Sequence, residues 1–461
     1  MIPNNSPWIK QLNRSRPVLP LDRDIETDLA IVGGGIAGVV TAYFALKDTR
    51  NSVVLIEADK VAHGATGHNA GQLASYFERP LPSMVEEFGE KLATDGIRDV
   101  ESAWLLLDEI VEDAKLSTPI YRFTGYAGVA NMDKLVDFLE SNKFRKRNGV
   151  QRESIMISES WDGLKDIPEE YAEYYSLAKH KDILDLLDTN NSDYIACVSY
   201  QKGCTNSALF TEELVGYLSA TYKERFAFFE ESPLKIVRLN KDDASLEVLN
   251  KTINAKKVVL CTNGFENFSI DNNAGHDINT EFHHSVAGRI GYMAGYVQPL
   301  NHPPTAISYF SNTKDASSDP TGDTYFYLTR RPHENEGEKD RDFNLICAGG
   351  PEKVLPNGAL YSRAHSCDEE VQERINDFLL ENYGKHQRET EYAFCWHGLM
   401  GYTPNGVRMI GPEPLNPVLV YNLGCNGVGI LPSIFGGKKI SRFLNGENME
   451  PSIFDPRDQS K

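Results

Sequence analysis

The sequence of 461 residues predicts an α/β protein with a parallel-sheet domain and a second, antiparallel-sheet (α+β) domain. The first domain is indicated by an apolar run at 29–32, three glycines, a helix-like segment at 36–47 and a second apolar run at 53–56. This is the order of a strand–helix–strand unit. The second domain is indicated by two strand-like segments, 324–329 and 344–348, whose polar connection predicts a long hairpin.

The uncharged stretch 29–46 has two explanations. Its 18 residues are just long enough to cross a membrane. Four glycines, three of them adjacent, and the preceding Asp28 favour a buried parallel strand, a turn and a helix instead. We therefore expect no integral membrane span.

The same patterns predict further elements. Helical spacing of apolar residues predicts a helix at 84–112 with a break near Gly96, and the polar residues 266–284 predict a loop. Other helices are predicted at 211–222 and 433–444, and other strands at 257–262 and 418–422.

These elements divide the chain into alternating segments, after an extended arm at 1–25. We expect the parallel-sheet domain to comprise 26–115, 200–270 and 386–461, and the antiparallel-sheet domain to comprise 116–199 and 271–385.

The composition excludes some classes of partner. The net charge of −19 argues against nucleic acid, because phosphate contacts need clustered Lys and Arg. The seven cysteines are odd in number and contain no C-x-x-C pair, which indicates reduced thiols in a cytoplasmic protein rather than a zinc or iron–sulfur framework. No metal ligand is predicted, no signal peptide is recognisable at the start, and the composition does not indicate an oligomeric state.

The glycine-rich turn after the first strand fits a dinucleotide. Residues 33–38 match G-x-G-x-x-G, in which Gly33 permits a tight turn, Gly35 lets the backbone approach a pyrophosphate and Gly38 lets the helix pack closely on the sheet. The helix N-terminus attracts the anion. Glu57 ends the second strand, where an acidic group bonds to a ribose 2′-hydroxyl and repels a 2′-phosphate. The cofactor is therefore expected to be FAD or NAD rather than NADP.

Two other segments are rich in small residues. Residues 64–72, Gly-Ala-Thr-Gly-His-Asn-Ala-Gly-Gln, can place backbone N–H groups against phosphates and a flat ring. Residues 424–429, Gly-Cys-Asn-Gly-Val-Gly, open the last helix and can stabilise negative charge on a reduced flavin near its N1–C2 edge. Taken singly, the first could be a flexible surface loop and the second a strand-to-helix turn.

In this order the three motifs resemble those of the D-amino-acid-oxidase-like family of FAD-dependent oxidoreductases, which includes glycine oxidase, sarcosine oxidase and dimethylglycine dehydrogenase. The second motif is similar to the family's Gly-Ala-Ser-Gly-Arg-Asn-x-Gly, and residues 257–264 are similar to its middle element. The family's C-terminal signature resembles residues 396–399, 402–406 and 410–411. The resemblance implies a Rossmann-like FAD-binding domain, a substrate domain with an antiparallel sheet, and FAD as the cofactor.

The family's pattern also implies which residues contact FAD. They are Gly33, Gly35, Ile36, Ala37 and Gly38 at the pyrophosphate; Glu57 at the adenosine ribose; Thr66, Gly67, His68, Asn69, Ala70, Gly71, Gln72 and Leu73 along the pyrophosphate, ribityl chain and isoalloxazine; Leu234 at the adenine; Thr262, Asn263 and Gly264 in the middle element; and Gly424, Asn426, Gly427, Val428 and Gly429 at the pyrimidine side of the flavin.

His68 departs from the arginine that is usual in the family. In dimethylglycine and sarcosine dehydrogenases a histidine in this register bonds covalently to the flavin 8α carbon, so a covalent link at His68 is one alternative. The other is a neutral polar residue near the pyrophosphate, since Gly67 stands where those dehydrogenases carry a large aromatic residue. Gly398 and Cys347 stand where the sarcosine-oxidase type has its flavin-linked cysteine and its oxygen-activating lysine, so a cysteinyl flavin is not expected.

Oxidation of an amine by a flavin needs a substrate C–H bond aimed at flavin N5 and an uncharged nitrogen. A carboxylated substrate also needs a cationic clamp, for which a bidentate arginine is best suited. Glycine-oxidase-like members carry such an arginine after a Tyr-Leu stretch, which matches Arg331, and Tyr325 and Tyr327 share one face of the same strand. Arg289 is a second candidate, and His397 is a candidate for the flavin face. The alternatives are solvated arginines at a hairpin mouth and a histidine in the core.

The sequence therefore predicts an FAD-dependent oxidoreductase, an amine or amino acid oxidase that acts on the C–N bond of a small molecule and passes the electrons to oxygen. A dehydrogenase that uses a quinone or a carrier protein is the first alternative, because Cys347 replaces the lysine. A non-catalytic FAD-binding subunit is the remote alternative. The chain keeps the motifs expected to face the flavin as well as those expected to face the nucleotide. This favours a catalytic protein over a binding subunit.

Overall fold

The computed structural model describes residues 3–12, 14–265, 267–278, 286–299, 302–311, 325–333, 343–356 and 359–457. Within these ranges the chain forms two large sheets, one of nine strands and one of ten. This arrangement confirms the predicted α/β class with a second, mainly antiparallel sheet.

The first sheet is built around parallel strands. Its members are β1 (Ile25–Val32), β2 (Val53–Ile56), β8 (Phe226–Phe229), β9 (Leu234–Leu239), β10 (Ala244–Val248), β11 (Lys251–Leu260), β12 (Ser269–Asn272), β18 (Met409–Pro412) and β19 (Leu419–Leu423).

The second sheet is mainly antiparallel. Its members are β3 (Gln72–Ala74), β4 (Tyr121–Val129), β5 (Ser154–Ser158), β6 (Ser176–Ala178), β7 (Ala196–Cys204), β13 (Ala287–Pro299), β14 (Thr305–Phe310), β15 (Tyr325–Pro332), β16 (Phe343–Val354) and β17 (Phe394–Tyr402).

Helices connect and cover the strands. The described α-helices are α1 (Pro7–Lys10), α2 (Ile36–Asp48), α3 (Leu81–Phe88), α4 (Glu90–Ala114), α5 (Met132–Arg147), α6 (His180–Leu186), α7 (Ser207–Thr221), α8 (Glu369–Asn382) and α9 (Ile430–Leu444). Short 3₁₀ turns span Ala65–Gly67, Asp162–Asp166 and Glu169–Tyr171.

Strand β1 lies between β11 and β2 and pairs with both in parallel. The register places Val32 beside Leu260 on one side and beside Ile56 on the other. The carboxyl ends of the three strands therefore meet at one edge, and α2 leads from β1 to β2 as predicted. Ligands of open parallel sheets bind at this edge.

The predicted hairpin is confirmed by the antiparallel pairing of β15 with β16, in which Tyr327 faces Gly349 across the strands. The polar connection is predicted at 331–340, but 331 and 332 still belong to β15. Residue 324 and residues 334–340 of that connection lie outside the described residues. No described helix has both the length and the apolar character needed to cross a membrane.

The predicted helix break near Gly96 is wrong. The break is at Gly89, whose φ of +81° separates α3 from α4, and Gly96 lies inside α4. A β carbon on Gly96 would lie 2.1 Å from Ile453 Cδ1, so glycine is needed there for close packing of the C-terminal segment. The sequence pattern therefore predicted a helix break at a glycine whose role in the structure is close packing.

Two further predictions need correction. The segment 266–284 was predicted to be a loop, but it contains β12, which pairs in parallel with β9 at the edge of the first sheet. The arm at 1–25 is not simply extended, because it includes α1 and buries Trp8 completely.

The predicted domain limits remain a prediction, but the strand pairing shows where sheet membership departs from them. The strands β3 and β17 fall in segments assigned to the parallel-sheet domain, yet β3 pairs with β7 and β17 pairs with β13 in the second sheet. Two strands next to the predicted cofactor motifs therefore belong to the second sheet and not to the first.

Candidate active site

A cavity of about 370 Å³ lies between the carboxyl ends of the central parallel strands and the second sheet. Its lining includes Val32 and Ile56 from the first sheet and Met293 from the second. The sequence-predicted site residues that the cavity brings together are Gly33, Gly35, Ile36, Ala37, Glu57, Thr66, His68, Asn69, Ala70, Gln72, Leu234, Thr262, Asn263, Tyr327, Gly427, Val428 and Gly429.

The turn after β1 has no room for side chains. Gly33 has a φ of +108°, and a β carbon on it would lie 2.6 Å from the Cys261 carbonyl oxygen. A β carbon on Gly38 would lie 1.9 Å from the Gly33 carbonyl oxygen. Gly38 is thus required for close helix packing, although it is not among the residues described as lining the cavity.

Glu57 is held beside this turn. The backbone N–H of Gly34 donates to Glu57 Oε2 at 2.7 Å, and that of Asp59 donates to Oε1 at 3.0 Å. Burial raises the pKa of Glu57 to about 7, although the Gly34 amide and the Arg363 guanidinium act in the opposite direction. The carboxyl group lies on the cavity lining, where it can accept a hydrogen bond from a hydroxyl group of the cofactor.

The second motif is bonded to the first. The N–H of Ile36, at the start of α2, donates to Thr66 Oγ1 at 2.9 Å. A β carbon on Gly35 would lie 2.9 Å from the same hydroxyl oxygen. The absence of a side chain at Gly35 therefore lets Thr66 cap α2.

The rest of the second motif is fixed by its own side chains. Asn69 Nδ2 donates to the Thr66 carbonyl at 2.9 Å, and the Gly71 N–H donates to Asn69 Oδ1 at 2.7 Å. Gln72 Nε2 donates to Thr329 Oγ1 at 2.9 Å, which joins the motif to β15. Leu73 is fully buried in the core. These bonds make the segment a fixed loop rather than a flexible surface loop.

The N-terminal arm packs against the back of this loop. A β carbon on Gly67 would lie 2.3 Å from Ile9 Cδ1, and one on Gly71 would lie 2.7 Å from Trp8 Cη2. Trp8 Nε1 donates to the Asn69 carbonyl at 2.6 Å. Gly67 and Gly71 therefore leave room for the arm to pack. Neither is among the described residues that line the cavity.

His68 faces the cavity and is uncharged at neutral pH, because burial lowers its pKa to about 4. Its Nδ1 lies 3.0 Å from the Gly64 carbonyl oxygen. A carbonyl can only accept, so this contact assigns the proton to Nδ1 and leaves Nε2 with its lone pair. A β carbon on Gly398 would lie 2.9 Å from His68 Cβ, which places β17 directly beside the histidine.

The middle element and the C-terminal motif hold each other. Asn263 has a φ of +54°, and its Oδ1 accepts from the N–H of Cys425 at 3.0 Å. Asn426 Oδ1 accepts from the N–H of Thr403 at 2.8 Å. A β carbon on Gly264 would lie 2.8 Å from the Met400 carbonyl oxygen. Gly264, Gly424 and Asn426 therefore shape the backbone and are not among the residues described as lining the cavity.

The wall of the cavity that belongs to the second sheet carries tyrosines and carboxylates. Tyr327 lies on the lining together with Glu78 and Glu352. The Tyr402 hydroxyl lies 3.3 Å from Glu78 Oε2 and 3.3 Å from Glu352 Oε1. Arg289 is 3.6 Å from Glu352 Oε2, and its guanidinium lies 4.5 Å from the centroid of the Tyr402 ring.

Three predicted catalytic residues do not line the cavity as it is described. The guanidinium of Arg331 is buried 5.2 Å from the Trp8 ring centroid and 5.7 Å from that of Tyr121. Arg289 lies behind Glu352. His397 is in the core, where its Nδ1 contacts the Tyr361 hydroxyl at 3.0 Å and its Nε2 contacts the His365 carbonyl at 3.0 Å.

Arg331 does not line the cavity because β15 extends beyond the cavity's edge. Tyr327, Thr329 and Arg331 share one face of this strand, but only Tyr327 reaches the lining. Thr329 accepts a hydrogen bond from Gln72, and Arg331 lies two residues further along the strand, over the Trp8 ring that packs against the second motif. Tyr325 belongs to β15 and pairs with Phe310, while its side chain lies outside the described residues.

Several lining residues were not predicted from the sequence. Arg363 forms an ion pair with Asp59 and donates to the His63 carbonyl. Arg408 donates through Nε to Asn422 Oδ1 at 2.6 Å, and burial lowers its pKa to about 10. These two arginines, like Glu78 and Glu352, do not lie at a recognisable spacing from the motifs. Arg408 lies between two parts of the recognised C-terminal signature, 402–406 and 410–411, which was the one available signal.

The site fits FAD in shape and in chemistry. Side chains are excluded at Gly33 and Gly38, Glu57 lies at the end of β2, and α9 begins directly after the Gly424–Gly429 segment. A helix N-terminus and exposed backbone amides suit phosphates and the electron-rich edge of a reduced flavin. Leu234 at the start of β9 lines the same cavity, as expected for a residue near the adenine.

Comparison with known proteins agrees with this geometry. The family model described as "DAO: FAD dependent oxidoreductase" matches residues 28–442. The gamma-glutamylputrescine oxidoreductase of Escherichia coli strain K12 is 31% identical over 85 residues, which cover 18% of this chain and 20% of that protein. The matches to curated relatives span 27%, 20% and 32% of the relatives' own length.

Solved structures share the fold over nearly the whole chain. Glycine oxidase from Geobacillus kaustophilus superimposes with a TM-score of 0.65 at 15% identity, covering 94% of this chain and 98% of that one. L-proline dehydrogenase from P. horikoshii superimposes with a TM-score of 0.67 at 14% identity, covering 94% and 97%. At this level of identity the likeness shows the fold alone.

Proposed function

The chain belongs to the DAO family of FAD-dependent oxidoreductases, and from this premise we propose that it oxidises the C–N bond of a small amine or amino acid. A hydride leaves the carbon that bears the nitrogen, and oxygen is the acceptor that reoxidises the flavin. The observation that carries the proposal is the single cavity in which the three glycine-rich motifs meet a tyrosine-bearing wall of the second sheet.

FAD, when bound, supplies a hydride acceptor at N5 of its isoalloxazine. The protein has to hold the substrate in one orientation, exclude water and accept the nitrogen in its uncharged form. Met293, Leu399 and Met400 give the cavity an apolar part, which lowers the local polarity and favours the uncharged amine. Tyr327 lies on the same wall and can orient a polar group of the substrate.

Negative charge that develops on the cofactor also needs stabilisation. The Gly427–Gly429 backbone precedes α9, whose N-terminus carries the positive end of the helix dipole. Arg408 adds a buried positive charge on the lining, held by Asn422. Both features are expected to favour the reduced flavin.

A dehydrogenase that passes electrons to a quinone or a carrier protein is the second candidate. The observation in its favour is the residue at 347, which is a fully buried cysteine. Burial raises the pKa of the Cys347 thiol, so it stays uncharged and supplies no positive group for oxygen activation. Among the described residues, none of those that line the cavity is a lysine.

The experiment that tests the proposal is a pair of measurements on the purified holoenzyme. Substrate amines and amino acids should bleach the flavin without oxygen, and readmission of air should restore the colour and release hydrogen peroxide. Bleaching without peroxide, but with turnover on an artificial quinone, would select the dehydrogenase. A yellow protein that is not bleached by any amine or amino acid would select the non-catalytic subunit.

We also propose a cytoplasmic location. All seven cysteines are free thiols, six of them buried. Proteins of oxidising compartments more often pair their cysteines. Fractionation of the native cells, with detection of this chain by antibody, tests the location.

A further inference from the structure

We propose that Arg363 binds the adenosine half of FAD through the flat face of its guanidinium, and that the segment around it covers this end of the cofactor. The segment, residues 361–367, lies between β16 of the second sheet and α8, and we call it the strap. It lies outside all three glycine-rich motifs. The inference concerns cofactor binding, so it holds whichever substrate the protein oxidises.

Arg363 lies at the nucleotide end of the cavity. It lines the cavity together with Glu57 and Asp59, which follow β2, and with Leu234 at the start of β9. Its guanidinium forms an ion pair with Asp59 and donates to the His63 carbonyl. Burial raises the pKa of Glu57, and the Arg363 guanidinium acts in the opposite direction, which places the two groups close together. Glu57 is expected to bind the adenosine ribose, so Arg363 lies beside the adenosine.

The surroundings of Arg363 suit an uncharged flat ring better than a phosphate. The carboxylates of Glu57 and Asp59 offset its positive charge, which weakens its attraction for the diphosphate. Pro233 and Leu234 give the same end of the cavity an apolar surface. A guanidinium stacks on aromatic rings with its flat face. The adenine ring is the part of FAD that matches both features.

The contacts of Arg363 leave its flat face for a ligand. An arginine has five N–H donors, all of which point outward in the plane of the guanidinium. Two of its nitrogen atoms use such donors, toward the Asp59 carboxylate and the His63 carbonyl. The Arg363 side chain is 26% exposed, and an ion pair that is shared with solvent contributes little to folding stability. These bonds therefore orient the guanidinium without covering its faces.

His397 on β17 holds the strap on both sides of Arg363. Its Nε2 lies 3.0 Å from the His365 carbonyl oxygen, and its Nδ1 lies 3.0 Å from the Tyr361 hydroxyl. Burial lowers the pKa of His397, so its ring is neutral at pH 7 and carries one proton. A carbonyl can only accept, which assigns that proton to Nε2 and lets Nδ1 accept from Tyr361. The histidine predicted for the flavin face thus fixes the strap.

The N-terminal arm and the middle element hold the strap as well. Asn4 Nδ2 donates to the Arg363 carbonyl at 3.1 Å, and Asn4 Oδ1 accepts from the His397 N–H at 3.2 Å. The Tyr361 ring packs edge to face with Phe265, which lines the cavity, with centroids 5.7 Å apart. Arg363 is therefore presented from a backbone that is already fixed, so little ordering is needed when the adenosine binds.

The test compares FAD with two smaller compounds, ADP and FMN. FMN lacks the adenosine half, and ADP lacks the flavin half. Every protein, including the reference, carries His68→Ala, so that the cofactor can exchange whatever its linkage in the wild type. Arg363→Met keeps an apolar side chain and removes the guanidinium, whereas Arg363→Lys keeps the charge and removes the flat face. Arg147→Met on α5 is the matched control, because Arg147 also pairs with one carboxylate, 2.8 Å away on Glu90.

The dissociation constants are measured on full-length protein from which FAD has been removed. Flavin fluorescence gives those of FAD and FMN, and equilibrium dialysis gives that of ADP. Thermal unfolding checks that each variant is folded. None of these measurements depends on turnover, so failure of the proposed C–N oxidation would not affect the result.

We expect FAD and ADP to bind roughly fivefold to thirtyfold more weakly to Arg363→Met and Arg363→Lys than to the reference, the factor that a guanidinium over a flat ring gives. FMN affinity should not change, and Arg147→Met should bind all three compounds as the reference does. Unchanged affinity for FAD and ADP in folded Arg363→Met would overturn the inference. An equal loss for FMN would overturn it too, because the role of Arg363 would then be structural. Full affinity in Arg363→Lys would also overturn it, since charge alone would suffice.

Discussion

Trp8 and Trp396 stand edge to face, with ring centroids 6.5 Å apart, and both of their indole N–H groups donate to the carbonyl of Asn69. One tryptophan comes from the N-terminal arm and the other from β17. Asn69 belongs to the second motif, on the cavity lining. The arm and the second sheet therefore fix the loop of the second motif from behind.

Replacement of Trp8 by alanine is expected to weaken FAD binding. The change removes a fully buried ring, which costs on the order of 3–5 kcal/mol of folding free energy, and it also removes a bond that fixes the Asn69 carbonyl. The measurement is the dissociation constant of FAD from flavin fluorescence, with urea unfolding in parallel. Trp161→Ala, at a half-buried site in another cluster, should leave FAD affinity unchanged. Unaltered FAD affinity in a folded Trp8→Ala variant would contradict the role of the arm.

Two glycine-to-alanine changes in helices should have opposite effects. At Gly38 the new methyl group would lie 1.9 Å from the Gly33 carbonyl oxygen, so the first turn must open and FAD binding should fall sharply. At Gly216, on α7, a β carbon would meet nothing within 4 Å beyond the adjacent backbone of its own helix, so alanine should stabilise the protein by up to about 1 kcal/mol through helix propensity. Absorbance at the flavin band and chemical unfolding measure both. A fully yellow Gly38→Ala protein would show that the turn tolerates a side chain.

Lys202 makes the stability depend on pH. It is fully buried, its Nζ donates to Ser308 Oγ at 3.3 Å, and burial lowers its pKa from 10.5 to about 7. Between these values the unfolded chain holds the proton and the folded chain does not. Stability should therefore rise with pH over this window, by about 1.4 kcal/mol per unit relative to Lys202→Met. Chemical unfolding of both proteins across the window measures the difference, with exposed Lys165→Met as the control. A difference that does not change with pH would refute the assignment.

His68 is expected to bond covalently to the flavin: its Nε2 would replace one hydrogen of the 8α methyl group, and oxygen would accept the two electrons that are released. Its ring is neutral, its Nδ1 proton is held by the Gly64 carbonyl, and its Nε2 lone pair is available on the cavity side of the loop. Precipitation with acid should then leave the yellow colour in the pellet, and His68→Ala should release it. Colour that remains in the supernatant of the wild type would leave His68 as a neutral neighbour of the cofactor.

The parallel core could be predicted because its residues carry local signals. The apolar runs at Leu29 and Val53 form strands at the expected positions, and the glycines between them serve a turn and a close helix contact. Elements without such signals were missed. The glycine at the helix break, Gly89, looks like the packing glycine Gly96 in sequence, and they are distinguished by the φ of +81° at Gly89 and the contact of Gly96 with Ile453.

The cavity wall around Tyr402 could not be predicted for a different reason. Glu352 on β16 meets Tyr402 on β17 only because both strands pair with β13, and this pairing joins distant parts of the chain. Glu78 reaches the same hydroxyl from the segment between β3 and α3. The place of Arg331 outside the described cavity lining could not be predicted for a similar reason. Strand alternation gave the correct face, but the point at which the cavity ends along β15 depends on the contact between Gln72 and Thr329.

Anaerobic titration of the purified protein tests the central claim most directly. The account predicts a yellow protein whose flavin absorbance is bleached by an amine or an amino acid, with one equivalent of the substrate converted to the corresponding imine or its carbonyl product. Gly35→Asp, which places a negative charge against the first turn, should give a colourless protein with no bleaching. A folded, colourless wild type that takes up no FAD, or a yellow one that no C–N substrate reduces, would contradict the account.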